Sequence, residues 1–348
     1  MSLAVTVDLL SRLLHKQVRS VSTTSCASGT QCLKLLIAID GEKDASLFLK
    51  HFPLLDSTDS TDSTDDAITS LHRTAQRHEI AFYRLCAPLL SGVVPKLVAS
   101  TDDGVLLLEA VRGQFFAMHQ SEIDDATVGR FLSAFVKLHR VDAAPFEALL
   151  PSAALIRQNR QRRWSATAGT ASSVERMQAL CDKLQLSTTV TAALLVCARR
   201  EYASMAEDLL PLEAPLTRAT LHHGDSNPNN LVLCDDGRVV LFDFQEPCVD
   251  APALDIAWLA ITSLTPQKLR TWDDFKLLDE HFLPFVDIDR ATFLESYRRA
   301  LTLNASFIAF LLGPGVADSD PTSWPHVLLR ACVAIFERQD QTVNTPPH

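Results

Sequence analysis

Between Leu221 and Leu259 the chain reads LHHGDSNPNNLVLCDDGRVVLFDFQEPCVDAPALDIAWL. His223-Gly224-Asp225 is followed by Asn230, five residues after the aspartate, then by Asp243 after an apolar run, and by Asp255. Three carboxylates and one carboxamide around a short β-hairpin pattern suit phosphoryl transfer from a nucleotide. One aspartate would orient the attacking hydroxyl, while an asparagine and a second aspartate would hold Mg²⁺ against the phosphates. Asp225 is the candidate catalytic base, and Asn230 and Asp243 are the candidate metal ligands. Oxygen donors of this kind, completed by phosphate and water, are what Mg²⁺ takes. The bland alternative for Asp225 is a turn aspartate, because Asp-Ser-Asn-Pro-Asn-Asn is also a good turn sequence. For Asp243 it is an aspartate that closes the strand Val239 to Phe242. His223 is expected to orient the loop rather than bind metal, since no second histidine stands at ligand spacing.

Composition narrows the class. The 348 residues are 47% hydrophobic and 21% charged, as in an ordinary globular protein. A net charge of −10 offers no basic excess for nucleic acid. Part of that charge is local, in the tract DSTDSTDSTDD at 56–66, which has nothing to bury and is expected to be a disordered insert. The eight cysteines form no C-x-x-C pair, which suits buried thiols in a reduced compartment. No signal peptide is expected at the N-terminus. The apolar run from Ala305 to Ala317 is broken by Gly313-Pro314-Gly315 and is expected to be too short for a bilayer. The expectation is a cytoplasmic protein without membrane attachment.

The elements that must carry these residues follow from periodicity. An amphipathic helix opens the chain. Strands are expected at Cys32 to Ile39, Ser46 to His51, Lys96 to Ser100 and Val105 to Leu108, with a helix from about Ala67 to Leu90. Beyond Glu109 the pattern turns helical, at roughly 123–140, 152–164, 172–184, 187–208, 289–311 and 322–337. The expected class is α+β: an N-lobe over 1–110, rich in strands, and a mostly helical C-lobe over 111–348 that contains the catalytic hairpin. Closure of two such lobes would form a ligand cleft.

The 221–259 stretch resembles the catalytic core of the aminoglycoside phosphotransferase and choline kinase superfamily, whose members share a bilobal protein-kinase-like fold. Asp-Phe-Gln at 243–245 looks most like its ecdysteroid-kinase-like branch, and E-x-x-F-Y at 79–83 followed by Val94-Pro95 extends the resemblance. It covers roughly residues 20–260. It implies that Lys50, on the third strand, binds the α/β-phosphates of ATP and that Glu79, on the next helix, holds that lysine. The plain alternative for this pair is a surface salt bridge. Asp255 would be the helix-start aspartate that braces the catalytic loop. The hinge would be Glu109 to Val111, whose backbone meets the adenine edge. One departure concerns the phosphate-covering turn, because no G-x-G-x-x-G exists. Only Gly29 stands in Ser25 to Thr30, so Ser28, Gly29 and Thr30 are the candidates there.

The resemblance implies an ATP- and Mg²⁺-dependent kinase for a hydroxyl of a small molecule, with a neutral alcohol such as a sterol favoured. Rival readings are an aminoglycoside or choline/ethanolamine kinase, for which Glu246 and Asp250 are candidate acidic groups, and a non-catalytic pseudokinase acting as a binding module. The basic run Arg157, Arg160, Arg162 and Arg163 reads as a solvated helix face. Trp164, Trp258, Trp272 and Trp324 are possible pocket walls, with Trp258 best placed.

Overall fold

The computed structural model describes residues 6–25, 33–51, 75–102, 104–118, 123–151, 153–168, 171–200, 204–205, 220–271 and 274–344. The acidic tract at 56–66, the turn residues Ser28, Gly29 and Thr30, and Trp272 lie outside them. Two compact units divide the chain: residues 1–114 with 232–247, and residues 115–231 with 248–348.

The first unit is built on a five-stranded antiparallel sheet of order β1-β2-β3-β5-β4. Its strands are β1 (Val21–Ser25), β2 (Leu33–Ile39), β3 (Leu47–His51), β4 (Leu97–Ser100) and β5 (Val105–Glu109). Asp40 and Gly41 turn β2 toward β3 with φ of 56° and 78°, a conformation aspartate and glycine tolerate. Period-two alternation sends Leu35, Ile37, Ile39, Leu47, Leu49 and Leu107 to one face. There they bury against Leu10 of helix α1 (Val7–Leu14), the amphipathic segment the sequence places first. Among the described residues helix α2 covers 75–85; it stops short of Leu90, where the periodicity ends, because Pro88 falls in a 3-10 turn just after it.

Residues 232–247 follow the lobe boundary expected from sequence, yet they count with the first unit. Val232, Cys234 and Val240 form an apolar cluster with Val111 and Phe242, and Leu241 N–H donates to Val93 O at 2.7 Å. The cluster comes from the hairpin of β8 (Leu231–Leu233) and β9 (Val239–Leu241), which forms a sheet of order β6-β8-β9 with β6 (Gln114–Phe115). Phe244, just beyond, stacks on Phe82 of α2 with centroids 3.8 Å apart.

Among its described residues the second unit is mainly helical, with a short ladder of β7 (Thr220–His222) and β10 (Cys248–Asp250). Its helices are α3 (Asp125–His139), α4 (Ala153–Ala168), α5 (Ser173–Leu184), α6 (Thr188–Ala198), α7 (Pro252–Ser263), α8 (Pro266–Thr271), α9 (Asp274–His281), α10 (Arg290–Val316) and α11 (Trp324–Asn344). Their starts follow local chemistry. Asp124, Ser172, Ser187 and Asp289 each accept a backbone N–H of the first turn, and Glu175 completes a capping box with Ser172. α6 ends at Ala198, inside the periodicity that runs to 208, and the described residues Ser204 and Met205 are helical again.

Among the described residues one helix, α10, is long and apolar enough to cross a membrane, but 61% of its apolar window is buried within the protein. The interruption at 313–315 kinks this helix rather than ending it: Gly313 takes φ 66° and ψ −177°. Pro314 has no N–H for the carbonyl four residues back, which is that of Phe310. Arg176 of α5 takes over that oxygen, donating to Phe310 O at 3.1 Å and to Leu311 O at 3.4 Å. Its guanidinium also lies 5.7 Å from the Phe310 ring centroid. Arg176→Met is expected to strand these carbonyls and lower unfolding free energy by about 1–3 kcal/mol, read from denaturant midpoints at unchanged slope.

Candidate active site

The residues singled out by sequence fall into two groups, one in each unit. In the first unit the centre is Lys50 of β3, 2% exposed. A buried ammonium needs opposite charge, because its desolvation is otherwise prohibitive. Glu79 of α2, 1% exposed, supplies it with Oε2 at 2.6 Å from Nζ. Burial pushes the Glu79 carboxyl up, against the pull of Lys50. The Lys50 ammonium also bonds to Asp243 Oδ1. The surface salt bridge that was the plain alternative for Lys50 and Glu79 does not describe a pair this deeply buried.

Asp243 follows β9 in a left-handed conformation, φ 66°. Gln245 secures it there, with N–H on Asp243 O at 3.0 Å and Nε2 on Oδ1 at 2.7 Å. Burial would raise the Asp243 carboxyl, but the ammonium groups of Lys50 and Lys34 outweigh it and hold the group well below the usual carboxylate range. Lys34 of β2, with Nζ 3.3 Å from Asp243 Oδ2, was not singled out by sequence. Strand pairing reveals it, since register places Lys34 directly opposite Lys50.

Glu109 and Val111 flank the end of β5. Glu109 N–H donates to Lys96 O at 2.9 Å and Ala110 N–H to Ser46 O at 3.0 Å, so both donors are engaged within the unit. A cavity of about 860 Å³ opens beside this segment, lined by Tyr83, Lys96, Glu109, Val111 and Arg238 among others. Lys50, Glu79 and Asp243 do not line it, which separates it from the charged group.

In the second unit Asp225 follows β7 by way of Gly224, whose φ is 85°. Three side-chain N–H groups fix its carboxylate. Asn227 Nδ2 and Trp258 Nε1 donate to Oδ1 at 2.8 and 3.1 Å, and Asn230 Nδ2 donates to Oδ2 at 3.0 Å. Asn230 also donates to Asp225 O at 2.9 Å, so its amide nitrogen faces the loop and its oxygen is turned away. His223 Nδ1 accepts the Asp225 N–H at 3.2 Å. Among the described residues no cluster of three or more His, Cys, Asp or Glu side chains could hold a metal ion by itself.

Asp255 lies beneath this loop, fully buried in the first turn of α7. Its carboxylate accepts from His223 N–H at 2.7 Å and Gly224 N–H at 3.1 Å, and His139 Nε2 lies 3.1 Å away. Ser226 Oγ donates to its carbonyl at 2.7 Å. One carboxylate thus holds two successive amides of the loop.

The basic run on α4 departs from the solvated face expected of it. Arg162 is exposed, but Arg160 is 6% exposed and donates to Gly224 O at 2.7 Å. Its guanidinium also lies 5.4 Å from the Trp258 ring centroid. Arg157 bonds Asp250 Oδ2 at 2.9 Å. The fold brings α4 against β10, and a buried carbonyl there wants a donor.

Burial would raise the Asp255 carboxyl, but His222 and His139 pull it far below its usual value of 3.8. Burial holds His222 below 6.5. Both shifts favour the folded state at neutral pH. Unfolded His222 takes a proton first, so stability falls as pH drops below about 6.5, and Asp255 adds a second decline below about 3.8. Asp255→Asn is expected to cost roughly 3 kcal/mol at pH 7 and to flatten the second decline, measured by denaturation midpoints from pH 3 to 8.

The sequence matches the family model of the APH phosphotransferase enzyme family over residues 61–292, more than half of the chain. No curated protein matches at a significant level. Among solved structures, a candidate aminoglycoside phosphotransferase from Ralstonia eutropha is 13% identical with a TM-score of 0.56, covering 96% of this chain and 97% of its own. The spectinomycin phosphotransferase APH(9)-Ia, solved with ADP and spectinomycin, is 10% identical with a TM-score of 0.53, covering 96% and 97%. A choline kinase from Cryptosporidium parvum is 11% identical with a TM-score of 0.52, covering 93% and 90%. These likenesses carry the kinase-like α+β fold, with a strand-rich N-terminal part and a helical C-terminal part. A match over residues 61–292 assigns the chain to the APH phosphotransferase enzyme family, and it is a phosphotransferase with an alcohol group as acceptor.

Proposed function

We propose that the protein is an ATP-dependent small-molecule kinase that transfers the γ-phosphoryl group to a hydroxyl of a neutral metabolite, steroid-like alcohol or xenobiotic in the cytoplasm. The observation that supports it most is the buried Lys50, bonded at once to Glu79 and Asp243. A charge group this costly to bury is retained where a polyanion must be gripped. Ser28, Gly29 and Thr30 would cover the phosphates. The adenine edge would meet the carbonyl side of Glu109 and the backbone of Val111, because the neighbouring N–H groups are already engaged.

Asp225, held by three donors, would orient the acceptor hydroxyl and take its proton as the bond to phosphorus forms. The residues that would hold Mg²⁺ are Asp243, through its carboxylate, and Asn230, through the amide oxygen that its own N–H contacts turn away from the loop. This donor set suits magnesium, which is bound by one or two protein oxygens completed by phosphate and water rather than by a protein cage. A bound magnesium ion would offset the charge on the phosphate oxygens. His223 and Asp255 keep the loop in place.

The neutral acceptor is favoured by the second unit's charges. Arg160 stands over Trp258, whose indole N–H contacts Asp225, and Asp250 is committed to Arg157. Glu246, the other acidic candidate, belongs to the first unit and is 8% exposed. An aminoglycoside or choline would bring its cation toward arginine, and like charges disfavour that. The cationic reading nonetheless has support from the names of similar proteins, a spectinomycin phosphotransferase and a choline kinase.

The test is mass spectrometry of a small-molecule extract incubated with protein and Mg-ATP, supplemented in parallel with a sterol, choline or an aminoglycoside. A product heavier by one phosphoryl group is expected from the wild type with a neutral alcohol. The Asp225→Asn variant is expected to make it about 10²–10⁴ times more slowly. Phosphorylated choline or aminoglycoside as the main product would instead establish the cationic reading. A protein that binds Mg-ATP but yields no Asp225-dependent product would point to the binding module.

A further inference from the structure

Of the two cross-strand partners of Lys50, Leu106 on β5 and Lys34 on β2, one is a second lysine. On β2 the residues Leu35, Ile37 and Ile39 belong to the buried core, so Lys34, Leu36 and Ala38 occupy the opposite face. Pairing puts Leu36 opposite Phe48 and Lys34 opposite Lys50, so all four side chains share that face. Leu36, Ala38 and Phe48 are half-buried there, an apolar strip that continues into Leu108 just before Glu109. One two-residue step, roughly 7 Å, separates the apolar pair from the lysine pair. A planar base against the apolar strip, a sugar and then a phosphate chain would follow this order along the sheet.

The charges are arranged for it. Lys50 is already matched by buried Glu79, while Asp243 is shared between Lys50 and Lys34. Lys34 is 20% exposed at its side chain, so it pays less desolvation than Lys50 and keeps access to a ligand. The sequence also lacks the glycine-rich phosphate loop whose amides would otherwise carry much of the anion. A nucleotide triphosphate brings several negative charges, and one lysine already neutralised by glutamate is a weak match for them.

We propose that Lys34 is a second phosphate-binding lysine, gripping the phosphate chain of the nucleotide beside Lys50. This role rests on the nucleotide reading given above. Lys34 is part of the binding surface itself rather than a structural counter-ion of Asp243.

The two roles separate in calorimetric titrations of ATP and of adenosine, with magnesium chelated. Lys34→Ala is expected to weaken ATP about tenfold or more, leave adenosine within about twofold, and be largely rescued by Lys34→Arg. The same loss is expected when Lys34→Ala is placed on Asp243→Asn, where no carboxylate remains to be neutralised. Equal losses for ATP and adenosine would make Lys34 a packing residue and overturn the proposal. A loss that vanishes on Asp243→Asn would make it a counter-ion, with the same result. Unchanged ATP affinity in Lys34→Ala, beside a clear loss in Lys50→Ala, would overturn this role alone. A wild type that binds neither ligand would overturn it together with the nucleotide reading.

Discussion

A charged lysine buried in a β-sheet is stable only with carboxylates brought to it, and the first unit is organised around that requirement. Lys50 is 2% exposed, at a position whose cross-strand and same-face neighbours are otherwise mainly apolar. Helix α2 must therefore present Glu79 to the sheet, and the segment after β9 must deliver Asp243. The stacking of Phe82 on Phe244 joins the same two segments through apolar contact, one residue beyond Asp243. Charge compensation and ring packing thus enforce one arrangement, and Asp243 accepts a left-handed backbone to satisfy it.

The second unit meets a comparable problem with different means. A loop that turns sharply at Gly224 exposes amides and carbonyls with no strand partner. Asp255 takes the N–H groups of His223 and Gly224 from below, and Arg160 takes the Gly224 carbonyl. Asn227, Asn230 and Trp258 then fix the Asp225 carboxylate from its sides. Each polar atom of the loop backbone that is satisfied this way removes a conformation that Asp225 would otherwise sample. Preorganisation here is a by-product of hydrogen-bond accounting.

Much of this was readable in the chain. Asp225, Asn230, Asp243 and Asp255 lie within one short stretch, where spacing is local and turn chemistry is specific, so the motif carries its own context. The strand alternation of β2, β3 and β5 was likewise legible, because a buried face imposes period two on the residues themselves. Long helices announced themselves by periodicity, whereas the short α8 and α9 did not. The C-terminal ends of α2 and α6 were overrun because apolar residues, among them the buried Leu90 and Met205, continue past the point where each helix stops.

The sequence by itself determined which residue types were available for chemistry, the class of fold, and the family, since all three depend on local order along the chain. Only the tertiary structure decided what Lys34, Arg160 and Arg176 do. Strand register sets Lys34 beside Lys50. The packing of α4 buries Arg160 beneath the Gly224 carbonyl, and α5 brings Arg176 to the oxygen that Pro314 leaves without a partner. In each case the partner is a backbone or side-chain group far away in sequence. A cation's role follows from the group it neutralises or donates to, and that group is chosen by the fold.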